Sequence, residues 1–189
     1  RSPPVLSNLL VTTPGEWLWT PELEPGEFIH IDVALPEGMG ISTPWTPVGA
    51  AAFQLRPSPG SATGTVVFGR FAPVELKIGD AALRVAALDG PGLVLDEDKV
   101  LEWLAAAARD VAGVGGHFPN PDLQVIVQAV SSRGRSPVPF GYVIRNGGEA
   151  VRFYLDPDRS LAEYLADWTA THEFSHLLLP YVRSREKWV

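Results

Sequence analysis

The sequence predicts an α+β fold, with an N-terminal antiparallel β domain over residues 1–92 and a mixed α+β part over residues 93–189. Three observations predict it. Short runs of β-type residues, several alternating in period two, fill the first ninety residues and are separated by Pro and Gly. A helical pattern of apolar residues first appears after Gly92. The chain of 189 residues is 46% apolar and 20% charged, enough length and apolar content for a sizeable core.

In the first part the strand candidates are Val5 to Thr12, Phe28 to Leu35, Gly64 to Phe71 and Val74 to Leu88. The alternation is plain in Phe28, His30 and Asp32 against Ile29, Ile31 and Val33. Pro36 to Gly40, Pro57 to Gly60 and Asp89 to Gly92 have turn composition, and no segment repeats at a fixed period, so a small antiparallel sandwich or barrel is expected. The boundary is placed near Pro91 to Leu95.

Asp96 or Asp98 can cap a helix whose Val100, Leu101, Leu104, Ala108 and Val111 share a face, and Gly113, Gly115 and Gly116 end it. Leu123 to Val130 then reads as a strand. Phe140 to Arg145 and Ala150 to Leu155 read as a hairpin closed around Asn146, Gly147 and Gly148, and the prolines in Ser136 to Pro139 suggest an edge. Ser160 and Glu163 make a capping box, so a helix is expected from there to Pro180.

Composition excludes several classes. A net charge of -7 is the wrong sign for a surface that gathers phosphate backbones, so no nucleic-acid partner is expected. No apolar run approaches the roughly 20 residues of a membrane span. With no cysteine, any metal must use nitrogen and oxygen ligands. Arg1 in place of Met suggests that a leader, tag or longer precursor has been removed, which suits an exported protein, periplasmic or secreted.

The chemistry lies in Thr171, His172, Glu173, Phe174, Ser175, His176, an H-E-x-x-H sequence inside the last expected helix. Histidines at i and i+4 project from one face, so both imidazoles can reach a single Zn²⁺. Glu173 is placed to take a proton from a water whose pKa the metal lowers toward about 7. Phe174, Ser175, Leu177 and Leu178 bring no competing charge. His30 and His117 read as structural or surface histidines. Trp17, Trp19 and Trp45 read first as aromatic packing and second as a binding patch.

His172 to His176 resemble the zinc-binding helix of zincin metallopeptidases. Metzincins place a Gly and a third His where this chain has Leu179 and Val182. His176, the leucines after it and the terminal Trp188 and Val189 are similar to the glycyl aminopeptidase family of gluzincins, which also suits an N-terminal β domain. The resemblance implies that residues 93–189 are the first part of a zincin-like catalytic domain. It implies a third zinc ligand, a Glu on a later helix, just past Val189, so that the rest of the catalytic domain is an expected partner. Glu186 reads as a solvated charge among Arg183, Arg185 and Lys187. The resemblance further implies that Phe140 to Arg145 is the edge strand that binds a substrate backbone. An aminopeptidase needs an acid nearby for the free amine, yet that segment has none and Glu149 lies across the turn, where it reads as a solvated hairpin residue. Tyr181 follows Pro180 and can approach an oxyanion.

The expected function is therefore a zinc-dependent peptidase acting on peptide or protein substrates through a metal-activated water, in an incomplete form here. Zn²⁺ is the expected cofactor, His172 and His176 the ligands, and Glu173 the general base. The alternative is a non-catalytic peptide- or carbohydrate-binding module that retains a zincin-like fold.

Overall fold

The structure is a computed structural model that describes residues 9–19, 21, 24, 26–55, 64–133, 136–145 and 147–179. The expected strand start at Val5, the turn Pro57 to Gly60, Asn146, the helix stop at Pro180, and Tyr181, Glu186, Trp188 and Val189 lie outside the described residues.

Eleven strands and three α-helices follow in the order β1 (Leu9–Thr12), β2 (Ile29–Asp32), β3 (Gly40–Ser42), β4 (Thr46–Pro47), β5 (Ala52–Leu55), β6 (Val66–Gly69), β7 (Val74–Ile78), β8 (Ala81–Leu88), α1 (Glu97–Gly115), β9 (Asp122–Ala129), β10 (Phe140–Ile144), β11 (Ala150–Leu155), α2 (Leu161–Ala166) and α3 (Thr169–Ser175) among the described residues. A 3₁₀ turn, His176–Leu178, continues α3. The fold is α+β, as the sequence predicts. None of the described helices is long and apolar enough to cross a membrane.

Two antiparallel three-stranded sheets, β1-β6-β3 and β2-β5-β4, make the N-terminal sandwich. The third sheet has the order β10-β11-β9-β8-β7; its inner pairs β8–β9 and β9–β11 are parallel and its outer pairs antiparallel. This sheet crosses the expected boundary near Pro91 to Leu95. Val74 to Leu88 was expected as one strand of the N-terminal part; it is instead a hairpin, β7 and β8, turned at Gly79 with φ 59° and paired into the later sheet. The physical reason is burial on both faces. Leu83 and Val85 of β8 pack under the helices, while Ala86 and Leu88 pack with Val67 of β6, so β8 needs a neighbour layer on each side.

Strand β6 stands in the same relation to the sandwich, with Val66 joining Ile31, Ile41, Trp45, Phe53 and Leu55 while Val67 faces the larger sheet. Polar groups close the seam between the layers. Arg84 donates from Nε to Asp122 at 2.7 Å and from Nη1 to the Thr43 carbonyl at 2.8 Å, and the buried Gln124 donates to Ser42 Oγ at 2.9 Å. The hairpin turn after β10 rests on Pro44, where a Cβ added at Gly148 would stand 2.6 Å from the proline Cβ.

The α1 helix begins and ends as its sequence directs. Asp96 accepts from the Lys99 N–H at 3.2 Å, and Gly116 closes the helix at φ 77°. Trp103, Leu104, Ala108 and Val111 lie buried against Phe153, Tyr164 and the β9 valines. The capping box at Ser160 also forms. The single helix expected from Ser160 to Pro180 does not, because the chain is extended at Asp167, with φ -85° and ψ 132°. The Asp167 carboxylate accepts from the Thr169 N–H at 2.8 Å and from the Ser136 hydroxyl at 3.3 Å, so α3 starts afresh in its own direction.

Asp156, at the end of β11, anchors this region. Its carboxylate accepts from the Ser132 N–H at 3.0 Å and from the Ser132 hydroxyl, its N–H donates to the Pro137 carbonyl at 2.9 Å, and its carbonyl accepts from the Tyr164 hydroxyl at 2.7 Å. Burial pushes the Tyr164 phenol up to about 12, so it stays a donor. For Asp156, burial acts to raise the pKa, but the Ser132 and Asp158 hydrogen bonds and Arg159 together hold it below the ordinary value. A carboxyl depressed on folding stabilises the fold above its unfolded pKa of about 3.9, and that stability is lost as pH falls through the lower folded value. Asp156→Asn is expected to lose about 1–3 kcal/mol at pH 7 and to show a shallower fall of stability below about pH 4 than the parent, read by urea unfolding at a series of pH values.

Candidate metal centre

The direction of the H-E-x-x-H face follows from Phe174. Its ring is fully buried between Phe118, at a centroid distance of 5.4 Å, and Phe153, at 5.7 Å, both edge-on. With that residue turned to the core, the positions two before and two after it, His172 and His176, are left exposed, and Glu173 falls between, 8% exposed. Ala170 and Leu177 complete the buried stripe of the helix and its 3₁₀ turn.

The two imidazoles meet. Their Nε2 atoms are 3.1 Å apart, with ring centroids at 4.6 Å and planes at 81°. Nitrogens held about 2.0–2.1 Å from one tetrahedral zinc stand about 3.3 Å from each other, close to the separation of this pair. One ligand atom each from His172, Glu173 and His176 lies within 4.8 Å of the other two. Trp168 stands edge-on to His172, with centroids 4.6 Å apart, and remains 68% exposed, forming one wall of the face.

Glu173 is held from the other side by β10. Gly141 leaves space for it: a Cβ there would stand 3.0 Å from Glu173 Cγ and 2.9 Å from Phe153 Cδ1. At the end of the same strand, Arg145 donates from Nη1 to the Leu179 carbonyl at 3.0 Å and from Nη2 to the His176 carbonyl. Glu149, its side chain 40% exposed, lies 3.9 Å from Arg145 and accepts from Asn120 Nδ2, so the hairpin residue that reads as a solvated charge also has bonded partners. Sequence reasoning missed Gly141, Arg145 and Asn120. The signal for Arg145 was its four-residue spacing to Glu149; nothing local marked its reach to α3.

The remaining candidates lie elsewhere. His117 is exposed, with Nδ1 3.1 Å from the Gly115 carbonyl, and His30 is exposed beside Phe28. Neither belongs to a metal-ligating cluster among the described residues. The tryptophans do not form one patch. Trp45 is core at 2% exposed, Trp17 packs on it at 6.2 Å and on Phe68 at 5.6 Å, and Trp19 stands 83% exposed. Trp17 and Phe68 line an open hollow of about 400 Å³ with Leu10, Thr12 and Glu16.

No protein-family model matches the chain, and no curated protein does. Among solved structures it is similar to an aminopeptidase N family protein from Idiomarina loihiensis, at 11% identity and a TM-score of 0.45, covering 69% of this chain and 24% of that one. It is also similar to an M1 zinc metallopeptidase from Deinococcus radiodurans, at 14% identity and a TM-score of 0.35, covering 79% of this chain and 33% of that one. The chain thus spans about a quarter to a third of the length of these structures. The chemistry of the site rests on its own residues.

Gly141→Ala is expected to lower stability by about 1–3 kcal/mol, since the added methyl would crowd the buried Phe153 ring at 2.9 Å and the Glu173 side chain at 3.0 Å. Thermal unfolding of the purified variant checks it.

Proposed function

We propose that the chain carries the zinc-binding helix of a metal-dependent peptidase, with His172 and His176 as ligands, Glu173 as general base, and peptides or proteins as substrates. The observation that supports it is the 3.1 Å approach of the two Nε2 atoms with the Glu173 carboxylate beside them. Packing alone gives no reason to turn two histidines toward each other at a solvent-exposed face.

Bound zinc would supply a Lewis acid that lowers the pKa of water toward about 7 and polarises a scissile carbonyl. The chain's own residues do the rest. Glu173 accepts a proton at its carboxylate and can hand it to the leaving amine, a task that needs a carboxylate held at one side of the metal face and shielded from bulk water. Its burial against Gly141 gives it that position. β10 is the outer strand of its sheet among the described residues, so its edge can receive an extended backbone. Engagement of Glu149 by Asn120 and Arg145 argues against its use for a substrate amine. Zinc sites take three or four protein ligands, and a glutamate just past Val189 is proposed as the third, as the gluzincin resemblance implies.

In the complete protein, which also carries the third ligand, Glu173→Gln is expected to leave zinc binding intact and to lower peptide hydrolysis by about 10²–10⁴-fold, whereas His172→Ala and His176→Ala lose the metal. Zinc content after dialysis and turnover of a peptide substrate, measured together, check both. Full turnover in Glu173→Gln, or unchanged zinc in the histidine variants, would overturn the assignment.

A further inference from the structure

The helix that carries the histidines is short. α3 has seven residues and passes directly into a single 3₁₀ turn, whose closing bond from the Leu179 N–H to the His176 carbonyl is long at 3.4 Å. His176 sits at that junction, as C-cap of α3 and first residue of the 3₁₀ turn. A ligand at a fraying end would be a poor one, because each ordering of the ring would be charged against binding. Arg145 meets both needs. One nitrogen of its guanidinium reaches the His176 carbonyl and the other the Leu179 carbonyl, bracketing the 3₁₀ turn from β10. Its side chain is only 15% exposed, and a cation here is further favoured by the negative end of the helix.

The guanidinium is itself oriented. Glu149 Oε1 is 3.9 Å from Arg145 Nη1, and Glu149 Oε2 accepts from Asn120, which precedes β9. Asn120 in turn accepts from the Asp122 N–H at 3.0 Å, tying the series to the first residue of β9. A line of polar contacts thus runs from the central strand of the sheet, through Asn120, Glu149 and Arg145, to the backbone of His176.

We propose that Arg145 is the positioning residue of this metal site, fixing the backbone of His176 so that its ring stands ready against that of His172. This rests on the metal reading given above. The role suits arginine, because two nitrogens in a rigid planar fork reach two separate carbonyls, whereas a lysine ammonium offers its donors from a single nitrogen. Groups that orient metal ligands typically account for 10–100-fold in affinity, so Arg145→Ala should weaken metal binding by about that factor and Arg145→Lys should recover only part of it.

The experiment titrates the protein extended past Val189 through the proposed third ligand, and its Arg145→Ala and Arg145→Lys variants, with Zn²⁺ and with Co²⁺, following the visible Co²⁺ absorption, and records thermal unfolding of each without metal. The expected result is a folded Arg145→Ala protein with a Kd raised about 10–100-fold and a changed Co²⁺ spectrum, and an intermediate Kd for Arg145→Lys. Equal Kd and identical spectra for parent and Arg145→Ala would overturn the positioning role while leaving the histidine site intact. Lowered thermal stability with an unchanged Co²⁺ spectrum and Kd in the folded protein would also overturn it, as a structural contact only. Failure of the parent to bind either ion would instead overturn the metal reading itself, and the proposal with it. Should Arg145→Ala not fold, Glu149→Gln, which removes the charge that orients the guanidinium, is expected to show the same spectral change in weaker form, and an unchanged spectrum would count against the proposal.

Discussion

The rotation of α3 about its own axis is set by one side chain. Phe174 has its ring fully buried between Phe118 and Phe153, and a helix pinned at one position has no freedom left in the direction of the others. The exposed pair of histidines and the buried glutamate are consequences of where a phenylalanine goes. Phe153, on β11, also packs edge-on against Trp103 at 5.1 Å, so α1 and the sheet share in the same contact. A core aromatic cluster therefore fixes the bearing of the surface residues that carry the chemistry.

The histidines alone do not make the site rigid, since a helix of seven residues contributes little stability by itself. It is held at three places by three different means. Asp167 caps its start, Gly141 admits Glu173 against β10, and Arg145 closes its end. Two of these holds come from β10 and the residue just after it, on a strand that lies at the sheet edge among the described residues. Among the described residues the strand that supports the helix is thus the one at the sheet edge, and this places the histidine face beside that edge.

What could be read from the sequence is what is decided locally. Asp96, Gly116, Ser160 and Glu163 mark helix ends through bonds spanning a few residues, and the spacing of His172 and His176 needs only a turn of helix. The break at Asp167 escaped notice because Leu161 to Ala170 reads as continuous helix until Ser136, thirty-one residues away, shares the Asp167 carboxylate. Strands β3, β4 and β5, of two to four residues, are too short to show a period. The parallel pairing of β8 with β9 is legible only as two apolar runs, which say that both faces are buried but not what covers them. Arg145 was invisible for the same reason: its partners are backbone carbonyls more than thirty residues on.

The passage of β7 and β8 into the later sheet has a practical bearing on how the molecule can be divided. A piece beginning at residue 93 would look reasonable by composition, since the helix pattern starts there, but it would strip β9 of its parallel neighbour and uncover Ile126 on the opposite face. Such a piece would present a long, untwisted-by-neighbours apolar strand edge of the kind that seeks a second chain, and its behaviour would be that of a sticky, self-associating fragment. A cut near residue 72 leaves the sheet whole, though it still bares the surface where β6 was seated. The indivisible unit is thus the set of layers, and expression boundaries drawn by sequence texture fall inside it.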